Sequence, residues 1–420
     1  MRRSFHPVFC LLSALVLAIA PLTGQHAAGP AVPENVKGLW VPRTALASAD
    51  GITSAVRSAQ AGGFDTLLVQ VRGRGDAYYN GGLEPRAAEL QRQPASFDPL
   101  ATTLTAAHAA GLRVHAWVNV NFVSSAVEMP IASTHLVHRH PEWLMVPRDL
   151  ARELSKVPEA SPSYAGRIAR WTRAQTSVEG LYVSPVIPAS ADYIDAVIRD
   201  LTTRYDLDGI HLDYIRYPSD RFDYSRAAIR EFRDTIRPTL PAAARRDLDE
   251  REPIDPLAYP DSFQDEWRAF RTGRLTALVA RLRTTIKTVR PSALVTVAAA
   301  PDIDEAREHR LQDWGAWLRA GLIDAICPMA YTAEAAQFAE QIAAVRAAAG
   351  TAAVWAGIGA YRMPPAQTIA HIEAARRLGA AGVVLFSYDS LVDPQQSAPD
   401  YIAVVGRSAF ATPPASDGTR

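Results

Sequence analysis

Cysteine is scarce: the 420 residues hold two, Cys10 and Cys327. Cys10 falls inside an apolar N-terminal run and lacks the small preceding residue of a lipoprotein cysteine. A chain trimmed of that run keeps Cys327 alone and can form no intrachain disulfide. Charge of one sign is missing too. Lys plus Arg and Asp plus Glu both number 44, the formal net charge is +0, and no long single-sign block occurs. That removes the field that nucleic acid or an anionic membrane surface would need. The N-terminal apolar run, Val8 to Ala20, is shorter than the ~20 residues of a spanning helix. No glycine-rich phosphate turn opens a helix after an early strand, since GRGDAYYNGG (Gly73 to Gly82) runs on into a loop. A dinucleotide site is therefore not expected.

What is present begins with MRRSFHPVFCLLSALVLAIAPLTGQHAAGP, in which two arginines precede the apolar run and small polar residues follow it. This is the pattern of a secretory signal over residues 1–28, with cleavage expected between Gly24 and Ala28. A retained membrane anchor is the alternative, disfavoured by the length of the run. The expected location is secreted, periplasmic or cell-envelope, with stability drawn from the core. The tail from Ala411 is poor in apolar residues and is expected to be disordered. Residues 34–410 are left as one domain, and the 48% hydrophobic content can fill a large core.

Within it, short β-rich runs alternate with longer helical patterns. The strands read as VKGLWVP (from Val36), FDTLLVQV (from Phe64), RVHAWVNV (from Arg113), GIHLDYIRY (from Gly209), ALVTVAAA (from Ala293), DAICPMAY (from Asp324), AVWAGIGAY (from Ala353) and GVVLFSYD (from Gly382). Helices such as ITSAVRSAQAGG, DPLATTLTAAHAAG and AEAAQFAEQIAAVRAAAG fit between them, several ending in glycine as a helix-to-strand turn requires. Apolar strands each followed by a helix imply a parallel sheet, and eight such units close into a (β/α)8 barrel. A doubly wound open sheet is the competing architecture. Two connections are long, Asn121 to Pro188 after the third strand and Pro218 to Phe263 after the fourth. Both start where barrels keep their active sites, so both are expected to wall a cleft.

One acid interrupts this apolar regularity. In GIHLDY, side-chain alternation puts His211 and Asp213 on one face and Ile210, Leu212 and Tyr214 on the other. If the apolar set packs on helices, Asp213 points into the mouth of the barrel; the competing reading is a cap, or an ion pair with Arg216. The same parity gathers Gln70 with Arg72, His115 with Trp117 and Asn119, and Met329 with Tyr331. Aromatic and hydrogen-bonding groups around a carboxylate suit a sugar ring. Glycoside hydrolysis asks for a second carboxyl group. Asp302 and Asp304 after the fifth strand, Asp76 after the second and Asp389 after the eighth are the strand-end candidates. We favour Asp302, from the strand next to that of Asp213, then Asp76, although either can simply cap a helix.

Together VKGLWV, FDTLLVQVRGRGDAYYNGGLEP, FDPLATTLTAAHAAGLRVHAWVNV, HPEWL, DGIHLDYIRYP, the AYT after DAICPM, and LFSYDSL resemble the glycosyl-hydrolase-like family 10, secreted or envelope-attached bacterial barrels, over roughly Val36 to Leu391. The resemblance implies a (β/α)8 fold and hydrolysis of a glycan, for some members the glycan strands of peptidoglycan. By position Arg72, Asp76, Tyr79 and Glu84 match the second-strand motif, His115, Trp117 and Asn119 the third, and His211, Asp213, Tyr217 and Pro218 the fourth. GIHLD is also similar to the fourth strand of the α-amylase superfamily, which implies a nucleophile's role for Asp213. The chain departs from many relatives at Tyr214, where they carry a second Asp. It departs again at Val120, Asn121 and Phe122, where they have Pro-Tyr-Arg, and at Met329, where they have Gln.

The expectation is thus a glycoside hydrolase with Asp213 and Asp302 or Asp76 as its carboxyl groups. Arg72, Tyr79, Glu84, His115, Trp117, Asn119, His211, Arg216, Tyr217 and Tyr331 would hold the glycan, with no cofactor or metal. A barrel that binds glycan without cutting it is the first rival. A metal-dependent hydrolase or deacetylase using His138 and His140 is the second, and it lacks a located third ligand.

Overall fold

The computed structural model describes residues 31–395 and 398–410. The expected signal (1–28) and tail (411–420) lie outside the described residues. Among the described residues, runs rich in β-branched and aromatic residues form ten strands. These are β1 (Val36–Val41), β2 (Thr66–Arg72), β3 (Arg113–Asn119), β4 (Phe122–Ser125), β5 (Gly180–Tyr182), β6 (Gly209–Asp213), β7 (Leu294–Ala299), β8 (Ala325–Ala330), β9 (Ala353–Ile358) and β10 (Gly382–Leu385). Eight of them close a parallel barrel in the order β1-β10-β9-β8-β7-β6-β3-β2. Closure excludes the open doubly wound sheet, and each barrel strand begins within two residues of its expected start.

The intervening helices begin and end on recognisable chemistry. Asp98 caps the helix Pro99–Ala109 by accepting from the Ala101 N–H at 3.0 Å, and Pro99 occupies its first position. That helix is followed by Gly111 and the helix Ala335–Ala349 by Gly350, both at positive φ (75° and 59°), a conformation glycine adopts without steric cost.

Strand alternation divides the apolar residues into two shells. Leu67, Val69, Ile210, Leu212, Val295 and Val297 face outward against helices, as on Gln264–Val289, whose Leu278 and Leu282 are fully buried. Trp40, Leu68, Trp117, Leu294, Cys327, Trp355 and Val384 fill the barrel itself. Large rings fit there because small residues oppose them. A Cβ on Gly209 would lie 2.5 Å from the His115 ring, and one on Gly357 would lie 3.0 Å from Trp40.

The two insertions differ in construction. That after β3 contains the antiparallel ribbon β4–β5, which the sequence reading treated as plain connection, over a small core that includes Val123, Trp143, Leu144 and Ile168. That after β6 is helical and packs Ile229, Phe232, Leu257 and Tyr259 around Trp267.

Candidate active site

At the C-terminal ends of the strands lies a cleft of about 520 Å³, the face on which barrels of this type carry their chemistry. Asp213, the last residue of β6, is on its wall and only 7% exposed. The strand stops there because Tyr214 takes φ 49°, the left-handed region that a bulky residue rarely adopts. This reversal turns the Tyr214 N–H back onto Asp213 Oδ1 at 2.6 Å, while Trp117 Nε1 donates to Oδ2 at 3.0 Å. The turn also ends the alternation, so Tyr214 lines the cleft instead of facing outward as parity alone predicted. Its ring packs 4.8 Å from that of Phe122 and receives the Arg216 guanidinium at 4.7 Å.

The electrostatics of Asp213 are a contest that burial wins. Removal from water raises its pKa; the Tyr214 N–H, the Arg216 charge and the Trp117 N–H lower it; the Glu179 charge raises it. The result is about 6. Glu179, immediately before β5, is the companion acid on the cleft wall. Arg216 Nη2 and the Tyr182 hydroxyl each donate to its carboxylate at 2.6 Å. Burial works against its charge, yet Arg216 and these hydrogen bonds outweigh burial and hold Glu179 below the usual carboxylate range. Two neighbouring acids are thereby pushed in opposite directions. Sequence reasoning missed Glu179. Its one signal was the short run GLYV after an acid, inside a connection not expected to hold a strand.

Aromatic rings line the cleft beside these acids. Phe386 stacks on Tyr331 at 5.2 Å and meets Trp40 at 5.9 Å and Trp117 at 6.3 Å. His211, beneath, accepts from Trp40 Nε1 at its Nε2 (3.1 Å) and bonds Thr296 Oγ1 through Nδ1 (2.9 Å). Since an indole only donates, His211 carries its proton on Nδ1. Burial, with His115 adding to it, drives its pKa well below the ordinary value, so it stays neutral and positions Trp40. Asp389, in the helix Tyr388–Val392 after β10, lines the rim and accepts from Ser387 Oγ.

Of the residues expected at the site, Asp213, Trp117, Asn119, Arg216 and Tyr331 line the cleft. The others do not. Asp302 is exposed and caps the helix Ile303–Glu308, its Oδ1 accepting from the Asp304 and Glu305 N–H groups at 2.9 Å. Asp76 accepts from the Arg74 N–H at 2.8 Å within its own loop. Arg72 leaves the phase of Gln70 because a bulge at Val71 sets it opposite Val118. There it is fully buried against Glu84, pairing at 2.7 Å and also donating to the Asn119 and Val120 carbonyls. His115 lies below the cleft with its ring 5.5 Å from Trp355, and burial lowers its pKa to about 4. Tyr79 packs edge-on to Tyr205, and Tyr217 is wholly buried. Of the two long insertions, the first contributes Phe122 and Glu179 to the cleft lining and the second, from Pro218, contributes no residue to it.

Among the described residues no group of three or more His, Cys, Asp and Glu could hold a metal ion. His138 is engaged with the Pro130 carbonyl at 2.6 Å, while His140 stacks on Trp143 at 3.8 Å and pairs with Glu142.

Comparison with known proteins bears on the fold and the family. The chain is 25% identical over 290 residues to glycosyl hydrolase DigH of Escherichia coli K12, covering 64% of this chain and 55% of DigH. To glycosyl hydrolase YngK of Bacillus subtilis it is 24% identical over 161 residues, covering 37% and 26%. It thus spans about half the length of DigH and about a quarter of YngK. The glycoside hydrolase domain of PgaB (BpsB) from Bordetella bronchiseptica superposes with a TM-score of 0.61 at 14% identity, over 91% of this chain and all (100%) of that domain. The catalytic domain of a β-amylase from Paenibacillus polymyxa gives 0.57 at 12%, over 90% and 99%. These two likenesses establish the barrel. The family model described as "Glycosyl hydrolase-like 10" matches residues 50–370, well over half of the sequence, and the chain belongs to that family.

Proposed function

We propose that the protein is a glycoside hydrolase that works outside the cytoplasm on a bacterial polysaccharide, with the glycan strands of peptidoglycan the first substrate to try. One observation carries this reading: a buried carboxyl with its pKa near 6 stands in an aromatic-walled cleft at the C-terminal face of the barrel. A proton held at that value is available to a leaving oxygen near neutral pH, the task of a general acid. The electrostatics therefore favour Asp213 as acid over the nucleophile's role suggested by its resemblance to the α-amylase strand. Trp117 and Tyr214 aim its oxygens, and Tyr331 and Phe386, backed by the buried Trp40, offer faces for the sugar. The ionised Glu179 supplies fixed negative charge beside a developing oxocarbenium centre, and Asp389 is a third carboxyl on the wall.

The test is release of reducing ends from glycan strands. Asp213→Asn should lower kcat about 10²- to 10⁴-fold while far-UV circular dichroism stays unchanged; an unaltered rate removes Asp213 from the chemistry. The rival reading, a glycan-binding barrel that does not cut, has one observation in its favour: both Glu179 oxygens are already occupied. Retention of glycan strands without release of reducing ends would decide for it.

A further inference from the structure

A second crevice, of about 260 Å³, lies between the two insertions. Arg148 enters it from the first insertion, Asp220, Arg221 and Asp261 from the second, and Arg268 and Arg271 from the long helix Gln264–Val289. Four guanidinium groups thus meet two carboxylates. Arg148 is paired with Asp261 at 2.6 Å, and Arg221 reaches away to Asp149. Among the described residues Asp220 is paired only at 3.9 Å, with His309.

Arg268 and Arg271 have no carboxylate partner among the described residues. Arg268 is exposed, whereas Arg271 is only 3% exposed, lying 4.8 Å from the Trp267 ring and 5.4 Å from that of Tyr224. The hydrogen bonds of Arg271 all end on neutral carbonyls: Nε on Trp267 at 3.3 Å, and Nη1 on Asp220 at 2.7 Å and on Phe222. Among the described residues its Nη2 edge has no hydrogen-bond partner. A buried cation is costly unless paired, and burial depresses even this guanidinium below its ordinary pKa. With Asp149 counted against its partner Arg221, four guanidinium groups face three carboxylates; the positive charge left over, with donors in guanidinium forks, matches an oxyanion better than a neutral hydroxyl.

We propose that this crevice is a subsite for a phosphate-class oxyanion, gripped by Arg268 and the free edge of Arg271. Asp220 lies four positions along the chain from Arg216 on the cleft wall, so their Cα atoms are at most roughly 14 Å apart. A polymer lying in the cleft can therefore present an anionic group here. That placement rests on the hydrolase reading; binding of the anion does not.

Titration of the full chain with inorganic phosphate, at constant ionic strength and with chloride as reference, tests the site by Trp fluorescence and calorimetry. Saturable binding is expected, weakened at least tenfold in Arg268→Ala and unaltered in the exposed control Arg230→Ala. Arg268→Ala removes no buried group, so its folding is not at issue, and Arg271→Lys serves as the second variant. Absence of saturable binding, or binding that Arg268→Ala leaves intact, overturns the proposal. Competition by a phosphate-bearing glycan, with a KM for that glycan that rises in Arg268→Ala while KM for a neutral one holds, places the group on the polymer. Binding of phosphate without such competition assigns the free ion as ligand. Loss of the hydrolase reading alone would leave the phosphate isotherm standing.

Discussion

Replacement of Asp213 by asparagine should make folding stability respond differently to pH, by an amount the structure supplies. The carboxyl titrates near 6 when folded against 3.8 for an ordinary aspartate. Between these values the folded chain keeps a proton that the unfolded chain has released, so stability falls as pH rises. Below about pH 4 both states are protonated and nothing is lost, whereas above about pH 6 the loss is complete; at ~1.4 kcal/mol per unit it amounts to about 3 kcal/mol. Asp213→Asn keeps the shape and abolishes the titration. The variant also turns an amide N–H toward Trp117 or the Tyr214 N–H, a cost of about 1–3 kcal/mol that does not vary with pH. Urea unfolding followed by Trp fluorescence, in half-unit steps from about pH 3.5 to 7.5, measures the difference between variant and parent. That difference should move in favour of the variant by about 3 kcal/mol across the window. A difference independent of pH would refute the argument that burial governs this carboxyl.

Trp117→Phe withdraws a hydrogen bond to the charged form of Asp213, so the carboxyl should titrate higher in a ¹³C-detected NMR titration and stability at pH 7.5 should fall by about 1.5–3 kcal/mol. Glu179→Gln removes a charge that raises Asp213 and releases Arg216, which lowers it; the basic limb of the pH–rate profile should shift toward acid. Arg72→Met leaves the Glu84 carboxylate buried and alone, with both side chains 0% exposed in the parent. It should cost about 3–5 kcal/mol in urea unfolding, most of it recovered when Glu84→Leu is added. Gly209→Ala forces a methyl within 2.5 Å of the His115 ring, and thermal unfolding should register a loss of about 1–3 kcal/mol.

The barrel was legible because each of its strands is a compact β-rich run between helical patterns, so hydrophobic period alone separates them. Trp117, Asn119 and Asp213 were legible for the same reason: side-chain parity holds along an unbroken strand. Where the strand breaks, the inference breaks with it. The bulge at Val71 rotates Arg72 out of phase, and the positive φ at Tyr214 brings outward-facing chemistry inward. Neither is announced by a glycine, the residue that would usually mark it. Asp302 shows a different limit, since an aspartate before a helix reads alike whether it caps that helix or faces a substrate. Glu179 was hidden because its ribbon strands are 3 and 4 residues long, too short for periodicity to register.

The two neighbouring acids have separate scaffolds. Asp213 stands on the closed barrel, whereas Glu179 arrives on the edge of an inserted ribbon with a core of its own. Exchanging that insertion for another would therefore retune the proton affinity of the barrel's carboxyl without altering a residue of the strand that bears it. Chemistry and its adjustment can diverge independently in such an architecture.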